Sequence, residues 1–289
     1  MNLTDINYIR QLLSNNGFHF SRAMGQNFLT AAWVPEQIAE SACIDAGTAV
    51  LEVGPGIGCL TVQLAERAGK VLCVELDRRL EPVLRETVGA MDNVKVVFCD
   101  ALKSDLETLA DEHMPGMRRV ICANVPYNIT SPLLSAFIEA KSFETVTVMV
   151  QREVAQRICA RPGSSDYGAF TVYVNWYMEP EKLFDVSPGC FVPQPKVTSS
   201  VVRMKRRTVP PAPVSNEKLL FKTVRAAFGQ RRKTLLNALS GNFGQISREQ
   251  LADIMESCGI DPGIRGETLE MHQFAALTCK LDEYNVKMG

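Results

Sequence analysis

The chain has 289 residues, 46% of them hydrophobic and 22% charged, with a formal net charge of -1. That is enough apolar material for a large core and a smaller one, and no apolar run approaches the roughly 20 residues of a membrane span. Nine cysteines without a Cys-x-x-Cys pair, and three scattered histidines (His19, His113, His272), argue against a metal or redox centre, and the polar opening Met1 to Arg10 carries no apolar targeting stretch, so a cytoplasmic protein without metal is expected.

Apolar residues at Ile6, Ile9, Leu12 and Leu13 predict a helix over Asp5 to Leu13, stopped by Asn15-Asn16-Gly17. Ser21 to Thr30 reads as a polar loop anchored by two apolar side chains, either a connector or a flap over a ligand. Pro35 to Ala42 follows as a helix with proline in its first turn. Ala49 to Val53 is a strand that runs at once into Gly54-Pro55-Gly56-Ile57-Gly58 and then the helical Leu60 to Arg67. Strand, glycine turn and helix let a backbone approach a nucleotide-like ligand. The spacing matches neither the dinucleotide fingerprint nor the phosphate loop.

Val71 to Val74 is the second strand, ended by Glu75, an acid placed to accept from both hydroxyls of a ribose. Asp77 caps the helix Arg78 to Val88. Val94 to Phe98 is the third strand, closed by Asp100, which suits either an adenine amino group or the cap of a turn. The fourth, Arg119 to Ala123, ends at Asn124-Val125-Pro126-Tyr127. There an amide oxygen, two backbone carbonyls and a flat aromatic face stand together, a set able to hold a planar amino group. Helix Pro132 to Ala140, strand Thr145 to Val150 and helix Arg152 to Cys159 complete the alternation. Five strands alternating with helices give a doubly wound α/β sheet with its cleft at the strand C-termini.

Ala169 to Tyr177 and Ser199 to Lys205 read as two further strands at an antiparallel edge, joined by a stiff segment, Phe191-Val192-Pro193-Gln194-Pro195-Lys196-Val197. Val209 to Pro213 reads as a proline linker, dividing residues 1–207 from a helical domain 208–289 with helices at Leu219 to Phe228, Thr234 to Leu239, Leu251 to Cys258 and Thr268 to Leu281. Between Arg203 and Lys233 stand ten basic residues (Arg203, Lys205, Arg206, Arg207, Lys218, Lys222, Arg225, Arg231, Arg232, Lys233) against one acid, Glu217. That segment carries +9 and the remainder -10, which favours a polyanionic partner.

Six stretches in order, Gln26-Asn27-Phe28-Leu29, Glu52 to Gly58, Glu75, Asp100, Asn124 to Tyr127 and Phe191 to Val197, resemble the ribosomal RNA adenine dimethyltransferases. Phe228 to Leu235 resembles the start of the helical domain in the bacterial small-subunit branch. The resemblance implies a Rossmann-like S-adenosylmethionine-dependent methyltransferase domain with a small all-α C-terminal domain. It also implies that Asn27 and Leu29 close over the donor, Gly54 and Gly56 admit it, Glu75 holds its ribose and Asp100 meets its adenine. Asn124 would lie between donor and target with Val125, and Tyr127 and Phe191 would stack on the target base. The implied substrate is a pair of adjacent adenosines near the 3′ end of 16S rRNA, in an immature small subunit, dimethylated by a monomer whose basic segment grips RNA. Rival readings are a large-subunit methyltransferase of the antibiotic-resistance type, a non-catalytic ribosome-assembly factor and a nicotinamide-dependent dehydrogenase.

Overall fold

A computed structural model describes residues 2–18, 27–230 and 232–284. Among the described residues nine strands are formed: β1 Phe28–Leu29, β2 Thr48–Val53, β3 Lys70–Glu75, β4 Val94–Phe98, β5 Arg118–Asn124, β6 Thr145–Gln151, β7 Met178–Val186, β8 Phe191–Val192 and β9 Ser199–Arg206. The helices in chain order are α1 Ile6–Asn15, α2 Trp33–Ser41, α3 Cys59–Ala65, α4 Glu81–Thr87, α5 Leu106–His113, α6 Thr130–Glu139, α7 Arg152–Ile158, α8 Ala169–Tyr177, α9 Glu217–Gly229, α10 Leu235–Ser240, α11 Arg248–Ser257 and α12 Met271–Glu283.

Seven strands make one sheet in the order β4-β3-β2-β5-β6-β9-β7. The pairs β4/β3, β3/β2, β2/β5 and β5/β6 are parallel, and β9 runs antiparallel to β6. All six residues of β2 are buried, as are the middles of β5 and β6, the mark of strands covered on both faces. Chain order reverses between β2 and β5, so the loops after those strands open a crevice at the C-terminal edge. The doubly wound sheet expected from the sequence is therefore the fold.

One element differs. Ala169 to Tyr177 is helix α8, and the edge strand is the next segment, Met178–Val186. Its β-branched and aromatic residues alternate with period two from Phe170 to Trp176, which imitates a strand, but burial overrides such propensity. Val172 and Trp176 pack among Leu219, Leu220 and Val224, Trp176 Nε1 donates to Glu217 at 3.2 Å, and Thr171 Oγ1 donates to the Arg157 carbonyl at 2.7 Å. The true edge strand alternates poorly and carries Pro180, Glu179, Glu181 and Lys182, as edges do.

The chain forms two compact units, Met1–Ala155 with Pro180–Arg206, and Gln156–Glu179 with Arg207–Gly289. This division differs from a single cut after residue 207, because α8 contributes to the same apolar cluster as α9, α10, α11 and α12. Among the described residues no helix is long and apolar enough to cross a membrane.

Candidate active site

A cavity open to solvent lies in the first unit at the C-terminal ends of β2, β3 and β5. Its wall includes Asn27, Leu29, Gly54, Gly56, Glu75, Asp100, Asn124, Val125 and Tyr127. Distant stretches of sequence thus meet on one surface.

The glycine turn forms one side. Gly54 and Gly56 have φ of +74° and +59°, conformations that side-chain-bearing residues rarely adopt. A Cβ at Gly56 would stand 3.3 Å from the Phe28 ring, and one at Gly54 would stand 3.7 Å from the ring of Pro126. The turn after β2 therefore abuts the corner after β5. Glu75 ends β3, 6% exposed, and its Oε1 accepts from the Asp77 amide at 2.7 Å. Burial pushes its carboxyl above the usual carboxylate range, against the opposing pull of amides from Asp77, Gly56 and Leu76. Asp100 Oδ1 accepts from the Leu102 amide at 3.0 Å, so it caps its turn while also facing the cavity.

The corner after β5 is built by register. Asn124 lies beside Met149 of β6, and the Val125 amide donates to the Met149 carbonyl at 3.2 Å. The Pro126 carbonyl is occupied, accepting from the Ile129 amide at 3.3 Å and from Thr130 Oγ1 at 3.2 Å. The Val125 carbonyl accepts from no described residue, and neither does the Asn124 side chain bond to one. Of the two backbone carbonyls offered by the sequence, only that of Val125 remains available beside the Asn124 amide. Tyr127 is half-buried on the wall and shares a 2.5 Å hydrogen bond with Ser199 Oγ. Burial raises its phenol above the ordinary value, so it stays neutral.

Phe191 does not belong to this wall. It pairs with Leu29 across the two-stranded ribbon of β1 and β8 and is 2% exposed among Leu29, Val34, Ile38, Met149 and Val201. The Thr30 amide donates to the Cys190 carbonyl at 2.8 Å, which draws the segment inward. Its ring is packed in the core of the first unit rather than on the cavity wall.

The basic segment also divides. Arg206 donates to the carbonyls of Phe137, Ile138, Ala140 and Phe143, acceptors at the end of α6 and in the turn after it, where helix carbonyls run short of partners. Arg203 pairs with Glu181 at 2.7 Å and Arg207 with Glu179 at 2.8 Å, and Lys222 lies 5.3 Å from the Phe243 ring centre. These side chains are already engaged. Lys205, Arg225, Arg232 and Lys233 are exposed and form no ion pair with another described residue. Arg231 and Gln26 lie outside the described residues.

Glu52, Leu76 and Leu102 are among the wall residues to which the sequence assigns no role. Glu52 is 1% exposed, accepts from Thr61 Oγ1 at 2.6 Å and from the Cys73 thiol at 3.5 Å, and burial raises its carboxyl to about 7. The available signal was an acid inside the otherwise apolar strand β2. Leu76 and Leu102 are 53% and 40% exposed on either side of Glu75 and Asp100. An apolar residue one or two positions after a strand-end acid was the clue there.

An open α/β sheet with this glycine turn, ribose-type acid and asparagine corner defines a Rossmann-like methyltransferase. Solved structures agree: a 23S rRNA methyltransferase, ErmE, matches with TM-score 0.69 and 29% identity over 88% of this chain and 99% of its own. A dimethyladenosine transferase from Plasmodium falciparum matches with TM-score 0.73 and 26% identity over 89% and 98%. The family described as ribosomal RNA adenine dimethylase matches residues 17–278. Curated relatives called ribosomal RNA small subunit methyltransferase A are 43% identical in Geobacillus thermodenitrificans, over 93% of each chain, and 42% identical in Alkaliphilus oremlandii, over 94% and 95%. The chain belongs to the ribosomal RNA adenine dimethylase family, and it is an S-adenosylmethionine-dependent enzyme that dimethylates adenine in ribosomal RNA.

Proposed function

We propose that this enzyme dimethylates the exocyclic nitrogens of two adjacent adenosines near the 3′ end of 16S rRNA, acting in the cytoplasm as a monomer on an immature small subunit. The observation that carries the reading is the meeting of Gly54 with Pro126, which joins a nucleotide-type cradle to an amino-group clamp. The choice of subunit is supported by the 43% identity to a relative named for the small subunit against 29% to one named for 23S rRNA.

The residues suit the donor. Glu75 offers a carboxylate to ribose hydroxyls, Asp100 an acceptor to an adenine amino group, and Leu76 and Leu102 offer apolar faces to the ring. Asn27 and Leu29 close the rim, and Gly54 and Gly56 leave room for backbone contact. Bound there, S-adenosylmethionine supplies an electrophilic methyl group on a sulfonium.

An adenine amino nitrogen is a weak nucleophile because its lone pair is delocalised into the ring. Asn124 Oδ1 and the Val125 carbonyl each accept one of its hydrogens, which favours a pyramidal nitrogen with its lone pair aimed at the methyl carbon. With Asn124 and Val125 holding the nitrogen, its lone pair would form the N–C bond as the donor's sulfur kept the electrons of the broken C–S bond, and the methylated nitrogen would then shed a proton to water. Positioning of this kind is worth up to roughly 7 to 11 kcal/mol in well-oriented intramolecular systems. The wall carboxylates Glu52, Glu75 and Asp100 stand on or after β2, β3 and β4, on the donor side, so none is needed as base. Tyr127 stacks on a base drawn out of its helix. Lys205, Arg225, Arg232 and Lys233 are the cations assigned to phosphates.

The test is to supply labelled donor with naked rRNA, immature small subunits and large subunits, then map the modified bases. Two adjacent dimethyladenosines in small-subunit rRNA are expected. Label confined to large-subunit rRNA would refute the assignment.

A further inference from the structure

The Tyr127–Ser199 hydrogen bond has no part in the chemistry set out above, and its geometry is specific. Ser199 is fully buried and opens β9 opposite Gln151 of β6. The Arg152 amide donates to the neighbouring Thr198 carbonyl at 2.9 Å, fixing the backbone there. Asn124 stands beside Met149 of the same strand β6. Both the Asn124 amide and the Ser199 hydroxyl are therefore registered against one rigid strand, two residues apart. The backbone of Tyr127 is held by Thr130 Oγ1, which donates to its carbonyl at 3.3 Å. That leaves the two side-chain torsions of the tyrosine, and the 2.5 Å bond to Ser199 pins the far end of the ring.

We propose that Ser199 is a positioning residue that fixes the Tyr127 ring against the target adenine and matters chiefly for the second methyl transfer at each base. The inference rests on the proposed stacking of the base on Tyr127. In the first round the amino group has two hydrogens, and Asn124 Oδ1 and the Val125 carbonyl take one each. After the first transfer one of those hydrogens is a methyl group, so a single acceptor keeps its partner. One hydrogen bond alone lets a planar base pivot about it. The flat face then depends on the aromatic ring, and the ring depends on Ser199. A freely rocking Tyr127 is tolerable when two polar contacts hold the base and is not when only one remains.

The experiment is a time course of mono- and dimethyladenosine, resolved by mass spectrometry of digested rRNA, for wild type, Ser199→Ala, Tyr127→Phe and the double variant, with donor affinity measured by calorimetry. Ser199→Ala is expected to leave donor affinity unchanged and the first step within about threefold. The second step should slow about tenfold, equivalent to about 1.4 kcal/mol, so monomethyladenosine accumulates. Tyr127→Phe removes the same bond from the other side while keeping the ring, and is expected to give the same product ratio. The double variant should be no worse than either single one. An unchanged mono-to-dimethyl ratio in Ser199→Ala would overturn the proposal, and so would a wild-type ratio in Tyr127→Phe, which also decides the matter should Ser199→Ala fail to fold. Full dimethylation by Tyr127→Ala would overturn the stacking reading itself and this inference with it.

Discussion

Tyr127 and Phe191 carry similar signals in the sequence, each an aromatic beside chain stiffened by proline, yet the first lines the cavity and the second lies in the core. A similar division separates Arg225, exposed to solvent, from Arg206, whose guanidinium is spent on backbone carbonyls. In each pair one member stands at the cavity or in solvent, and the other is taken up by the fold. Residue type announces what chemistry is available, and the hydrogen-bond partners decide whether it is still free.

Truncating the buried aromatic should break the pairing most visibly. Phe191→Ala is expected to cost about 3 to 5 kcal/mol of stability, read as a lowered denaturant midpoint. Phe191→Leu, which keeps most of the volume, should retain methyl transfer per folded molecule. Retained stability with lost transfer in both variants would return Phe191 to the site.

The acids come next. Glu52 keeps its proton up to about 7, against an ordinary 4.5. Between those values the folded chain holds a proton that the unfolded chain has released, so stability falls as pH rises from about 4.5 through about 7 and then levels. Glu52→Gln preserves an acceptor for Thr61 Oγ1 and cannot ionise. It should flatten that slope and gain up to about 3 kcal/mol at pH 8, checked by urea unfolding at about pH 5 and pH 8.

The arginines give the smallest effects and the clearest contrast. Arg206→Ala removes a donor from four carbonyls, of which that of Ala140 keeps the Phe143 amide, and should cost about 2 to 3 kcal/mol without altering the salt dependence of RNA binding. Arg225→Ala should leave stability unchanged and lower the slope of log affinity against log salt by about 0.7 to 0.9. Equal salt slopes for the two variants would dissolve the distinction between engaged and free cations.

The parallel sheet was legible because β2, β5 and β6 are predominantly apolar runs, each ended by a turn or a polar residue. The site was legible at Gly54, Glu75, Asp100 and Asn124 because each stands where such a run stops. Helix α8 was not, since Phe170 to Trp176 alternates like a strand and only its partners on α9 select the helix. Phe191 was not, since nothing in its own segment reveals the Thr30 to Cys190 bond that turns it inward. Nor could the sequence say that Thr130 and Ile129 take the Pro126 carbonyl and leave that of Val125. The charge run was real in number and misleading in use, because Arg203, Arg206 and Arg207 have partners far away in sequence.

All of this converges on the corner after β5. Single-turnover methyl transfer by Asn124→Ala, with donor and RNA affinities measured on the same preparation, addresses it most directly. The expected result is a rate lower by about a thousandfold, in line with loss of one preorganised polar contact at a reacting centre, with both affinities within a few-fold of wild type. Undiminished transfer by that variant would contradict the assignment of Asn124 to the reacting nitrogen.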